Sequence, residues 1–164
     1  QIVVERYPGL CEKVSVGTIP YGIKNFVGYR NFLMETETGE RLAYANTIWT
    51  LMDMEKRKPV KAPKEMTDAY GVGERLDMDY EPRKIAIPKG EGTAREPVEI
   101  KRHHLDTNHH VNNGQYVRIA MEYLPEGHRI RQMRAEYRKQ AVLGDKIYPM
   151  IYAEDMVTVV SLNN

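Results

Sequence analysis

"HHLDTNHHVNNGQYV" (residues 103–117) holds four of the chain's five histidines, one aspartate and three asparagines, and it runs directly into a helical pattern. From Asn113 onward, Tyr116, Val117, Ala120, Met121 and Leu124 recur at i, i+1, i+4, i+5 and i+8. That spacing predicts a helix over 113–124, closed by Pro125, with Val117, Ala120, Met121 and Leu124 facing a sheet. The polar stretch before it admits three readings. As a metal site it offers His103, His104, His109, His110 and Asp106, but adjacent histidines in a strand point to opposite faces. As a polar turn it supplies Asn112 or Asn113 as helix cap, which leaves Asp106 and Asn108 without a task. As a catalytic centre it presents Asp106, Asn108 and His110 with period two, on one side of an extended approach to a helix start. The free N–H groups and partial positive charge there can polarise a carbonyl and hold a developing oxyanion.

The flanking chain is strand-rich on both sides. "QIVVERY" (1–7), "KVSVGTIPY" (13–21), "NFVGYRNFLMET" (25–36) and "RLAYANTIWTLMD" (41–53) are dense in β-branched and aromatic residues. "ETGE" (37–40) is a hairpin turn with Gly39 supplying a positive φ. "KPVKAPKEMTDAYGVG" (58–73) reads as a proline-marked turn and a short helix, its glycines a helix stop and not a phosphate loop. Residues 76–97 are rich in proline, glycine and charge and read as a connecting segment between a first unit, 1–75, and a second, 98–164. "VEIKRHHLD" (98–106) resumes an extended pattern. "IRQMRAEYRKQAVL" (130–143), a Gly144-Asp145 turn, "KIYPMIYAED" (146–155) and "MVTVVSL" (156–162) return to strands.

Composition bounds the function classes. The 164 residues are 41% hydrophobic and 29% charged, as in ordinary globular chains, and suffice for one sizeable core or two small ones. A net charge of +1 argues against a strong nucleic-acid binder, and the basic run "EKRKPVK" (55–61) reads as solvated surface. Cys11 is the single cysteine, which excludes an intramolecular disulfide and reads as a small packed residue. No apolar run approaches the roughly 18 residues that a membrane span needs. No signal-peptide pattern is visible, although Gln1 stands inside an apolar run, which leaves open a leader upstream.

A faint internal repeat accompanies these patterns. A shift of 133 residues sets Leu10, Glu12, Lys13 and Val14 against Leu143, Asp145, Lys146 and Ile147, with Arg6 against Lys139. On that register the helix at 113–124 has its counterpart upstream of Gln1, and the second unit runs out just after Leu162. The expectation is a fragment of a two-unit protein.

"LDTNHHVNNGQYV" (105–117) closely resembles the D-x-N-x-H-V-N-N-x-x-Y motif of acyl-acyl carrier protein thioesterases. "AEYRKQAVLGD" (135–145) resembles that family's "EYRRE" strand and turn, and "FVGYRNFLM", "LAYANTIW" and "PVKAPKEM" resemble its first half. The resemblance implies an α+β double hotdog, each unit an antiparallel sheet wrapped around a long helix, with the first unit lacking its helix in this chain. It implies hydrolysis of the thioester between a fatty acyl chain and the carrier's phosphopantetheine arm, ending chain elongation. The functional pattern carries over onto Asp106, Asn108 and His110; the helix start near Asn112 and Asn113 is expected to polarise the thioester carbonyl, with Asn108 helping to place it.

One position departs. Members commonly carry a carboxylate after the basic pair of "EYRRE", where this chain has Gln140, and plant relatives follow it with a cysteine, where this chain has Ala141. A cysteine nucleophile there is excluded. An amide does not titrate near neutral pH, so Gln140 can only orient, and the base is Asp106 or His110. The resemblance implies no metal and no organic cofactor. It implies a cytoplasmic acidic carrier protein as partner, with Arg102, Arg138 and Lys139 as candidate contacts, no nucleic acid or membrane, and room for a homodimer. Gln140 also motivates a second reading, a non-catalytic acyl or carrier-binding hotdog protein. A hotdog dehydratase is the weaker third, because nothing here resembles its proline-rich histidine loop.

Overall fold

The computed structural model describes residues 1–56 and 58–164, so Arg57 of the basic run lies outside the described residues. The chain divides into two compact units, one of residues 1–81 with 130–134, the other of 82–129 with 135–164. Both are sheet-dominated, with few helices.

In the first unit, β1 (Ile2–Val4), β2 (Val14–Lys24), β3 (Val27–Thr36) and β4 (Arg41–Thr50) carry the expected β-branched and aromatic runs. Two short strands, β5 (Met52–Asp53) and β6 (Lys58–Pro59), form their own pair, followed by α1 (Lys64–Ala69). The hairpin between β3 and β4 turns at Gly39, whose φ of 82° is open to glycine at no steric cost. Leu42 and Asn31 are fully buried in this sheet. The Asn31 side chain donates to the Ala45 carbonyl and accepts from the Leu76 N–H and the Tyr80 hydroxyl, which fastens residues 76–80 to the sheet. A buried amide with its groups satisfied in this way avoids the penalty of an orphaned polar atom.

The second unit begins with β7 (Thr93–Ala94) and β8 (Val98–Glu99), then a 3₁₀ turn (Arg102–His104) and α2 (Asn113–Met121). β10 (Lys146–Glu154) and β11 (Val157–Asn163) follow β9 (Gln132–Met133) in the chain. The sheet order is β11-β10-β7, with β8 also on β10, and the first unit's order is β2-β3-β4-β1-β9. All these pairings are antiparallel.

Ile100, Val111, Ile119, Ala141 and Ile147 form the second unit's core, with Leu105, Tyr116, Tyr123 and Leu162 packed on it. Each fully buried isoleucine contributes about 1.5–3 kcal/mol by removal from water.

Several expectations are corrected. Helix α2 spans nine residues and ends at Met121, short of Leu124. Tyr116 and Ile119 face the core from α2, Tyr123 joins them from the turn beyond it, and Met121 is 48% exposed. The inward face is rotated from the expected one so that the larger side chains meet the core. "KRHH" is not extended; it closes the 3₁₀ turn. The stretch 130–143 yields only β9, which pairs with β1 in the first unit. Beyond it the Ala141 N–H and C=O are taken by the Tyr116 hydroxyl and the Val111 N–H, so no ladder partner is needed. Cys11 is exposed, at a φ of 63°.

The repeat at a shift of 133 residues is a repeat of structure. The Glu12 N–H donates to the Gly9 carbonyl, and the Glu12 carboxylate accepts the Gly9 N–H at 2.7 Å. Asp145 does the same to Val142, its carboxylate accepting at 2.9 Å. Cys11 and Gly144, matched by the shift, both take positive φ, 63° and 84°. Each turn feeds a long strand of its own unit, β2 in one and β10 in the other.

Candidate active site

The histidine-rich stretch folds back on itself. Leu105 and Val111 pair as an antiparallel bridge, and the Asp106 N–H donates to the His110 carbonyl at 2.9 Å, so the two residues face each other at the base of a tight loop. The Asp106 carboxylate fills the loop. Its Oδ1 accepts the N–H of Asn108 at 2.8 Å and that of His110 at 3.4 Å. His109 takes a φ of 60°, which reverses the chain. The expected extended approach is therefore replaced by a turn, because an aspartate offers the backbone a local acceptor that competes with a ladder. The fold still brings Asp106 and His110 together, now across the loop. Both are half-buried, and Asn108 lies exposed at the tip.

Asn112 is the N-cap of α2, its side-chain oxygen accepting the Gly114 N–H at 2.8 Å, while its carbonyl accepts the Gln115 N–H. Asn113 opens the helix, and its carbonyl accepts the Tyr137 hydroxyl at 3.2 Å. The Asn113 N–H has no acceptor among the described residues, which leaves one first-turn donor open.

Gln140 is exposed, and its carbonyl accepts the Asn164 side chain. The Val111 N–H donates to the Ala141 carbonyl at 2.9 Å, which sets the Gln140–Ala141 backbone beside His110–Val111. So the loop, the helix start and Gln140 converge within one unit.

Three residues of this neighbourhood were not singled out from the sequence for a role in catalysis, and His104 entered only among the possible metal ligands. Tyr116 anchors Ala141 through its hydroxyl at 2.9 Å, and burial pushes that phenol's pKa up. Tyr137 reaches Asn113, and burial raises its pKa as well. His104 accepts the Lys101 N–H on Nδ1 at 3.0 Å; burial foremost, then His103, Lys101 and Arg118, lower its pKa below the ordinary 6.5. Tyr116 was visible in the sequence as a member of the helical stripe and as the tyrosine that ends the family motif. Of the proposed carrier contacts, Arg138 is ion-paired with Glu136 at 2.8 Å and Lys139 donates to the Asn164 carbonyl. Among the described residues no three His, Cys, Asp or Glu side chains are grouped to hold a metal ion. No helix among them is long and apolar enough to cross a membrane.

The fold is that of solved thioesterase structures. An acyl-ACP thioesterase from Bacteroides thetaiotaomicron superposes with a TM-score of 0.81 at 22% identity, covering 99% of this chain and 68% of that one. The 12:0-ACP thioesterase from Umbellularia californica gives 0.74 at 22% identity, covering 98% and 67%. Residues 1–70 match the acyl-ACP thioesterase N-terminal domain and residues 89–160 the C-terminal domain. The chain belongs to the acyl-acyl carrier protein thioesterase family. Among curated relatives, the chloroplastic palmitoyl-acyl carrier protein thioesterase of Arabidopsis thaliana is 28% identical over 85% of this chain and 36% of its own length. The chloroplastic oleoyl-acyl carrier protein thioesterase 2 of the same plant is 26% identical over 98% and 47%. The chain thus spans between about a third and a half of the length of these curated relatives.

Proposed function

We propose that the protein hydrolyses the thioester of fatty acyl-acyl carrier protein in the cytoplasm, with the Asp106–His110 loop and the start of α2 as its catalytic centre. The observation that carries this is the loop in which the Asp106 N–H donates to the His110 carbonyl at 2.9 Å and which runs directly into the start of α2, in a chain of this family. The Asn113 N–H polarises the thioester carbonyl, helped by the positive end of α2, and Asn108 places the substrate. Asp106 Oδ1 is committed to the loop, so Oδ2 is the oxygen that meets a water or the imidazole. His110 or Asp106 takes the water's proton. The hydroxide attacks the carbonyl carbon, the C–S bond breaks, and the proton taken from water goes to the leaving thiolate, directly from His110 or passed to it from Asp106. Gln140 orients by hydrogen bonding and does not titrate.

The same reading makes each unit one half of a double hotdog. The repeated turn supports it, since the acid-capped turn precedes a long paired strand in both units. The first unit's sheet carries the exposed Val16 and Trp49 on the face that also holds Met34.

The test is to incubate the full-length protein with an acyl-carrier thioester and follow free thiol. Release well above the buffer rate, removed by His110→Ala, supports the reading; release at the buffer rate favours the binding module that Gln140 suggests.

A further inference from the structure

Lys101–His104 forms the first support of the 105–111 loop. The His104 N–H donates to the Lys101 carbonyl at 3.0 Å, and the Lys101 N–H donates back to His104 Nδ1 at 3.0 Å. A backbone N–H can only donate, so Nδ1 must carry no proton for this bond to exist. The His104 carbonyl accepts the Asn112 N–H at 2.9 Å, and Asn112 is the residue whose side chain caps α2. The two legs of the loop, Leu105 and Val111, lie between those contacts. One imidazole therefore closes the turn with its ring, while its backbone holds the cap.

We infer that His104 is a proton-sensitive positioning residue, holding the 105–113 segment in place only while its imidazole is neutral. The inference rests on the proposed hydrolysis for its effect on turnover, but the lock itself does not. A proton on Nδ1 sets N–H against N–H at Lys101 and opens the turn. It also places a charge beside His103, whose ring centroid is 4.1 Å away, Lys101 at the start of the turn and Arg118 on α2. No carboxylate is among the groups that act on it. Burial first, and those three residues next, disfavour the charged ring. The sign follows from linkage. The unfolded chain takes this proton first, so the stability contributed by the neutral ring is intact above 6.5. It declines as pH falls from there through the folded value. Turnover that depends on the loop declines with it.

The experiment is an amide NMR titration of the chain, with His104→Asn and His104→Leu, paired with the thiol-release assay. An asparagine oxygen can replace Nδ1 as acceptor and does not titrate. The Lys101 and Asn112 amide signals of the native chain should shift with a common inflection below 6.5, and His104→Asn should remove that inflection. His104→Leu should expose the Lys101 amide to exchange at every pH and lower kcat/KM by up to about 10²-fold, the scale of a displaced active-site segment. His104→Asn should restore most of that loss. Amides that do not titrate, or that titrate identically in His104→Asn, overturn the lock. A His104→Leu protein with native turnover overturns its role in positioning. An inert native protein whose amides titrate as expected supports the lock and counts against the hydrolysis instead.

Discussion

Replacing Asp106 by asparagine or by alanine separates the two tasks given to its carboxylate. The bond from the Asn108 N–H is 2.8 Å, and that from the His110 N–H is 3.4 Å, too long to add much. A hydrogen bond to a charged acceptor contributes about 1.5–3 kcal/mol, and a neutral one roughly half as much. Asp106 is half-buried, so water reclaims part of this and the lower end applies. Asp106→Asn keeps an oxygen in place and should cost about 1 kcal/mol, while Asp106→Ala removes both bonds and should cost about 2 kcal/mol. For a chain of 164 residues these translate to about 2–4 °C in Tm for the first and about twice that for the second. If the carboxylate activates water or steadies the imidazolium, Asp106→Asn should still lose about 10²-fold or more in kcat/KM. A stability loss of about 1 kcal/mol cannot produce that deficit in a protein that remains folded. Thermal melting and steady-state thioester hydrolysis on the same preparations decide the matter. An Asp106→Asn protein within about fivefold of native turnover would refute the chemical role and leave Asp106 as a loop former alone.

The repeated turns make a paired forecast. Gly144→Ala should cost about 1–2 kcal/mol at a φ of 84°, whereas Cys11→Gly should relieve similar strain at 63° less glycine's entropy, a net gain of about 0.5–1 kcal/mol. Urea unfolding of both variants measures it. Tyr116→Phe leaves the N–H of the fully buried Ala141 without its acceptor, an expected loss of about 1–3 kcal/mol accompanied by faster exchange of that amide. Hydrogen bonds from Arg6, then from the Gly9 N–H, hold the Glu12 carboxyl at about 2 in place of 4.5. Its contribution to the turn is thus fully present above 4.5 and declines as pH falls from there through about 2. A carboxyl NMR titration should find that inflection, and Arg6→Ala should return it toward the ordinary range.

The strands of the first unit were legible because they are dense in β-branched and aromatic residues and a turn glycine, Gly39, divides two of them. One long motif nominated Asp106, Asn108, His110, Asn112 and Asn113 together, and they lie in one loop and the helix start that follows it. The shape of that loop was not legible, since period two suggests an extended strand, while Asp106 closes a turn through bonds to the backbone that no spacing rule reports. The face of α2 was misjudged for a similar reason. Ile119 and Tyr123 win the core by bulk, and only the neighbours Ile100, Ala141 and Ile147 decide which face that is. Residues 130–143 carry strand-forming side chains, yet the N–H and C=O of Ala141 are met by Tyr116 and Val111 and not by a neighbouring strand. Cys11 read as a packed thiol, whereas the structure puts it at a left-handed turn position matching that of Gly144.

Gln140 bears most directly on whether this chain is an enzyme. Its backbone is held beside His110, where a carboxylate would serve as a ready base, and the amide there cannot take a proton. The decisive measurement is the rate of thiol release from acyl-carrier thioester by the native protein and by Gln140→Glu, side by side. If Asp106 and His110 activate the water, the native protein hydrolyses well above buffer, and Gln140→Glu leaves that rate unchanged or raises it. A native protein at the buffer rate, with hydrolysis appearing only in Gln140→Glu, contradicts the account and makes the chain a binder with a disabled site.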